Sequence, residues 1–136
     1  MSDLPEFRNE PWADFSRAEV QRAMGEALAR VRQEFGKEYP LCIGGRAVET
    51  AEKLESCNPS RPSEVVGVHQ RGTPELAREA VEAAYAYFAE WSRTPGETRV
   101  RMLLRAAEIL RARKMEFDAW LVYEAGKTWI EAEADV

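Results

Sequence analysis

Gly44-Gly45, set between the triplets Leu41-Cys42-Ile43 and Arg46-Ala47-Val48, constrains this chain more than any other feature. A two-residue glycine loop supplies the positive backbone angles of a tight antiparallel turn without steric cost, so the triplets are expected to pair as a hairpin. Two more short strands are expected at Leu54–Cys57 and Val65–Gln70, which gives a beta region over residues 41–70. Between them Asn58-Pro59-Ser60-Arg61-Pro62-Ser63 reads as a loop, because its prolines cannot donate to a central ladder.

Helical periodicity stands on both sides of this region. Ser16-Arg17-Ala18-Glu19 has the spacing of a capping box, in which the serine oxygen accepts from an orphan amide and the glutamate reaches back to the cap. Val20, Met24, Ala27, Leu28, Val31 and Phe35 then recur every three or four residues, and Gly36 is a natural stop. Past the strands, Thr73-Pro74 is a cap with proline in the first turn, and Ala77, Val81, Ala84, Phe88 and Trp91 are expected to form the buried stripe. Thr94-Pro95-Gly96-Glu97 repeats that logic, and Leu103, Leu104, Ala107 and Leu110 continue inward. The basic run Arg111-Ala112-Arg113-Lys114, expected to be a solvated surface, interrupts before Phe117, Leu121 and Val122 resume a face. Helices are therefore expected over 16–35, 74–92 and 96–125, with a break at 112–114. Gly126 ends the last of these, and Thr128-Trp129-Ile130-Glu131 opens a new capping box with no stop signal before Val136. The chain is expected to be cut within that element. Glu131 and Asp135 have the spacing to share its face. Residues 1–15, with Pro5 and Pro11, have no sustained period and read as an extended arm.

Composition removes several classes of function. The net charge of -5 and pI of 5.1 give no cationic field for nucleic acid or anionic lipid, so neither is an expected partner. No apolar run approaches the ~20 residues of a membrane span, and Met1 to Glu6 lack the order of a signal peptide, so a cytoplasmic location is expected. Cys42 and Cys57 have no Cys or His at metal-ligand spacing and read as small packing residues. His69, alternating with Val66 and Val68, reads as a polar side chain at a sheet margin. No glycine-rich phosphate loop, HExxH or GxSxG is present in the sequence. Gly126-Lys127-Thr128 matches only the end of a P-loop, since the glycine needed five positions earlier is Leu121.

One ordered set of short motifs carries more weight. Tyr39-Pro40-Leu41-Cys42-Ile43-Gly44-Gly45, Ser56-Cys57-Asn58-Pro59 and Glu64-Val65-Val66-Gly67 are followed by Ala83-Ala84, Phe88, Trp91, Arg99, Leu103-Leu104 and Ala106-Ala107-Glu108-Ile109-Leu110. Glu124-Ala125-Gly126-Lys127 and Glu131-Ala132 complete the set. Together they resemble the "IGG", "NP...VVG" and "E-x-GK...EA" elements of the aldehyde dehydrogenase superfamily over nearly the whole chain. Phe7-Arg8-Asn9-Glu10-Pro11, Arg111-Ala112-Arg113-Lys114 and Trp120-Leu121-Val122-Tyr123-Glu124 are most similar to its L-glutamate gamma-semialdehyde (1-pyrroline-5-carboxylate) dehydrogenase branch.

The resemblance implies an α/β fold of the aldehyde dehydrogenase kind. Residues 1–38 would form an arm and amphipathic helix, 39–72 a hairpin and the first strands, and 73–136 the first helices of an incomplete NAD-binding domain. It implies an enzyme that oxidises glutamate semialdehyde to glutamate in proline degradation. A cysteine thiolate attacks the aldehyde, hydride passes to NAD, and water releases the acid. The family's nucleophile, oxyanion asparagine, general-base glutamate and cofactor loops are expected beyond Val136, so no catalytic or cofactor-binding residue is assigned here, and the chain alone is expected to be inactive. Cys42 and Cys57 are not that nucleophile. The one carry-over is a monovalent-cation site at Ser56, Cys57 and Glu124, beside which an ordinary surface or capping role for Glu124 stands open. A homo-oligomer and a proline dehydrogenase partner are implied for the complete enzyme. The alternative is a stand-alone helical binding or assembly module derived from such an enzyme.

Overall fold

The structure, a computed structural model, describes residues 6–136. In chain order its elements are α1 (Ala18–Arg32), β1 (Glu38–Tyr39), β2 (Leu41–Ile43), β3 (Arg46–Val48), β4 (Lys53–Asn58), β5 (Arg61–Gln70), α2 (Pro74–Trp91), α3 (Gly96–Ala112), α4 (Lys114–Ala125) and α5 (Trp129–Asp135). They divide into two compact units, one comprising Arg32–Thr94 and the other the described residues up to Val31 together with Pro95–Val136.

In the Arg32–Thr94 unit the expected hairpin is present. β2 and β3 pair antiparallel with Leu41 opposite Val48 and Ile43 opposite Arg46. Gly44 and Gly45 sit at φ 55° and 76°, angles that a side chain would strain. A second sheet has the order β1-β5-β4, with β4 antiparallel and β1 parallel to the central β5. Gln70, nearly buried at the end of β5, ties its pieces together. Its Nε2 donates to Glu38 Oε1 (2.8 Å) and Tyr39 O (3.2 Å), and its Oε1 accepts from Thr50 N (2.7 Å) and Lys53 Nζ (2.6 Å). A buried amide left without such partners would cost about 1–3 kcal/mol, so this residue fixes where β1 ends and β4 begins. α2 starts as expected, with the Thr73 hydroxyl accepting from Leu76 N and Pro74 in the first turn.

In the other unit α1 buries Met24, Ala27 and Val31 of the expected stripe, Val20 and Leu28 are half-buried, and Phe35 lies past the helix, which ends at Arg32. α4 stops at Gly126, whose φ of 67° is the left-handed cap expected of a glycine there. α5 then opens with the complete capping box. Thr128 Oγ1 accepts from Glu131 N, and Glu131 Oε2 accepts from Thr128 N at 3.0 Å. The break expected at 112–114 falls at Arg113, between α3 and α4.

Several expectations are corrected. Ser16 does not cap α1: its amide and hydroxyl both donate to Asp14 Oδ1, the helix begins two residues later, and Glu19 pairs with Arg17. Thr94 does not cap α3, because its hydroxyl donates back to Glu90 O in α2. Pro62 lies inside β5, not in a loop. It sits between the pairs Asn58↔Arg61 and Cys57↔Val65, where the ladder is irregular and no donor is required of it. Cys42 and Cys57 are exposed rather than packed. His69 belongs to the central strand, stacked on Tyr39 at 5.5 Å between ring centroids. The largest departure concerns α2 and α3, which bury no residue fully. Val81 is 68% and Leu103 72% exposed.

Candidate functional site

β4 carries Ser56 and Cys57 in the Arg32–Thr94 unit, and α4 carries Glu124 in the other. Ser56 pairs with Gly67 and Cys57 with Val65, and the extra residue of the irregularity between them, Val66, lies on β5. Glu124 occupies the last turn of α4, where a carboxylate faces the negative end of the helix macrodipole and a nearby cation would relieve the repulsion. Among the described residues no group of three or more His, Cys, Asp or Glu side chains is arranged to hold a metal ion.

The Gly126-Lys127-Thr128 turn has its polar groups committed internally. Thr128 Oγ1 donates to Glu131 Oε2 (2.9 Å), and the Lys127 ammonium pairs with Asp135. Hydrogen bonds from the Thr128 amide and hydroxyl hold the Glu131 carboxyl below the usual range for a glutamate. A phosphate approaching this turn would meet two carboxylates that already hold its donors. A pyrophosphate at this turn would have to compete with both carboxylates for those donors. Glu131 and Asp135, read as a face-sharing pair, have separate partners.

The sequence reading missed a polar centre in the same unit. Asp118 of α4 and Glu133 of α5 are both buried, and three of their oxygens, Asp118 Oδ1 and Oδ2 and Glu133 Oε2, have no donor among the described groups. Glu133 Oε1 accepts from Ala13 N at 2.6 Å and pairs with the Lys114 ammonium, itself mostly covered. Lys114 also donates to Pro11 O at 3.3 Å, and Arg111 Nε spans both oxygens of Glu10 at 3.0 and 2.9 Å. Within the basic run Arg111, Ala112 and Arg113 are exposed, as expected of a solvated surface, whereas Lys114 is largely covered, and Arg111 and Lys114 hold the 10–13 arm. The signal available was the spacing of Lys114 and Asp118, four residues apart, with Asp118 set among Phe117, Leu121 and Val122 on the apolar face. Burial, and then the facing Glu133, push the Asp118 carboxyl up to about 7.

The fold and these motifs define a class. The aldehyde dehydrogenase family matches residues 47–136, and the chain belongs to it. Among its relatives, 1-pyrroline-5-carboxylate dehydrogenase 1 of Halalkalibacterium halodurans is 44% identical over 132 residues, covering 97% of this chain and 26% of that protein. The structure of 1-pyrroline-5-carboxylate dehydrogenase from Thermus with bound NAD superimposes with a TM-score of 0.94 at 52% identity, over 99% of this chain and 26% of that one. Proline utilization A from Bdellovibrio bacteriovorus gives a TM-score of 0.92 at 29% identity, covering 99% of this chain and 14% of its own. The chain therefore spans about a quarter or less of the length of these relatives.

Proposed function

We propose that this chain supplies scaffold, and no catalytic group, to an NAD-dependent dehydrogenase that oxidises L-glutamate gamma-semialdehyde to glutamate in proline degradation. The observation that carries the reading is the match to the NAD-bound Thermus enzyme over 99% of the chain at 52% identity. In this reading residues 73–136 contribute the first helices of the NAD-binding domain. The cysteine nucleophile, the base for water and the contacts to NAD come from the rest of the enzyme. The pairing of Thr128 with Glu131 and of Lys127 with Asp135 supports that division, since a cofactor would have to compete with both carboxylates.

The finer parts of the proposal rest on the family resemblance. A monovalent cation would be held by Ser56 and Cys57 backbone oxygens with Glu124, and the complete enzyme would assemble as a homo-oligomer in the cytoplasm. No helix among the described residues is long and apolar enough to cross a membrane. A proline dehydrogenase partner draws support from the likeness to proline utilization A.

The test is a graft. Replacing the matching quarter of the Thermus dehydrogenase by this chain and following reduced NAD with glutamate semialdehyde should give activity within about tenfold of the parent, about 1.4 kcal/mol in barrier height. The 136 residues alone should give none. A graft that elutes like the parent on gel filtration but has lost its activity would refute the scaffold reading. So would turnover by the isolated chain that disappears on Cys42→Ala or Cys57→Ala.

A further inference from the structure

The Asp118–Glu133–Lys114 centre joins α4, α5 and the 10–13 arm. Two carboxyls are enclosed between α4 and α5, yet only one oxygen of the four, Glu133 Oε1, has donors. A buried oxygen pair with both groups ionised would be short of hydrogen bonds and would repel. One proton removes the repulsion and eases the shortage, because a protonated Asp118 becomes a donor to the Glu133 oxygen it faces. The charged groups facing Asp118 are Glu133 from α5 and Lys114 from its own helix. The arm contributes the Ala13 amide to Glu133, and Arg30 of α1 acts on Glu116 instead.

We propose that Asp118 and Glu133 share a single proton and, with Lys114, form a latch that holds α5 and the 10–13 arm on α4 and opens when that proton is lost. The geometry makes Glu133 the moving part. Its carboxylate joins Ala13 of the arm and Lys114 of α4 to α5 itself, whereas Lys114, which links the same segments through Pro11 O and Glu133, carries the opposite charge and is not repelled. With the proton in place the centre carries one negative and one positive charge, which balance. Without it, two carboxylates face one lysine, and the surplus charge is enclosed where water cannot screen it. Turning Glu133 outward relieves the repulsion at the cost of its bond to Ala13 and its pairing with Lys114, so the short α5 and the arm around Ala13 loosen together, while Arg111 keeps its hold on Glu10. α4 keeps its own backbone ladder and remains as the seat. The raised carboxyl, at about 7, puts the opening within the range a cell can reach.

The direction of the switch follows from the sign of that shift. A carboxyl raised in the folded state favours folding most where both states are protonated, and the contribution is lost as pH climbs through the folded value. Closure is the acidic state, and opening belongs to the alkaline side of neutrality.

Hydrogen exchange on the full chain, read by mass spectrometry and corrected for the intrinsic rate at each pH, tests the latch peptide by peptide. Between about pH 5.5 and about pH 8.5 the segments 8–15 and 129–135 should lose about tenfold in protection, while 114–125 changes by less than about threefold. Asp118→Asn places a permanent donor where the proton was, and its protection should stay level across the same range. Glu133→Gln supplies the donor from the other side and should also be level. It decides the matter if the first variant loses protection in 114–125. Level protection in the wild-type chain, or a 129–135 segment open at both pH values, would overturn the proposal. So would a loss in both amide variants as large as the wild type's.

Discussion

α1 and the pair α2 and α3 were written in the same pattern, apolar residues every three or four positions, yet they end in opposite states. α1 seals Met24 and Ala27 completely and leaves Val31 at 2% exposure. α2 buries nothing fully, with Tyr85 81% and Phe88 60% exposed, and α3 leaves Leu103 and Met102 open. Periodicity announces that a helix has an apolar face; it does not say where the matching face is. The relatives are about four times as long as this chain. Within the proposal, α2 and α3 present the faces that the remainder of the enzyme covers, whereas α1 is satisfied by what is already here.

Single truncations should separate the two cases most widely. Met24→Ala removes a fully buried side chain and should cost about 2–5 kcal/mol in chemical denaturation followed by circular dichroism, whereas Phe88→Ala should fall within about 0.5 kcal/mol. Equal costs would mean that the α2 face is already packed. In the Thermus graft the same Phe88→Ala change should become expensive, because the face is then covered.

The buried acid pair sharpens the comparison from the polar side. Asp118, raised from 3.8 to about 7, contributes stability that is fully present below about pH 3.8 and is lost as pH rises through about 7. The unit that contains α4 and α5 should therefore weaken by roughly 2–4 kcal/mol across that window, and Asp118→Asn should abolish the slope. Urea melts at a series of pH values measure it. A slope of the opposite sign would place the proton elsewhere.

Caps give the smallest effects and divide by whether the hydroxyl does what its sequence position suggests. Thr73→Ala and Thr128→Ala each remove a side-chain acceptor from a helix start and should cost about 1 kcal/mol. Thr94→Ala, whose hydroxyl only returns to Glu90 O, should cost within about 0.5 kcal/mol, and urea melts of the three variants measure the difference.

Those caps also show how far the sequence could be read. Gly44-Gly45, Thr73-Pro74, Gly126 and the Thr128–Glu131 box were legible because each is decided within four residues. Ser16 and Thr94 had the right spacing and failed, since Asp14 captured one hydroxyl and the end of α2 the other. β1 is two residues long and pairs with a strand thirty positions away, so no local pattern marks it. Pro62 was excluded from a strand by a rule that an irregular ladder suspends. The polar centre was hidden for a similar reason. Lys114 and Asp118 look like an exposed helix pair until Glu133 and Ala13 arrive from elsewhere in the chain to enclose them.

The central claim is that the open faces of α2 and α3 belong to a larger enzyme, and gel filtration of the 136-residue chain over a range of concentrations tests it most directly. Large apolar patches left in water favour association, so the wild-type chain should elute progressively earlier as concentration rises and should melt broadly. The double variant Phe88→Ser, Leu103→Ser should move toward the monomer without losing helix content. A wild-type chain that stays a clean monomer at every concentration and unfolds in one sharp transition would contradict the account, and would make the chain self-sufficient.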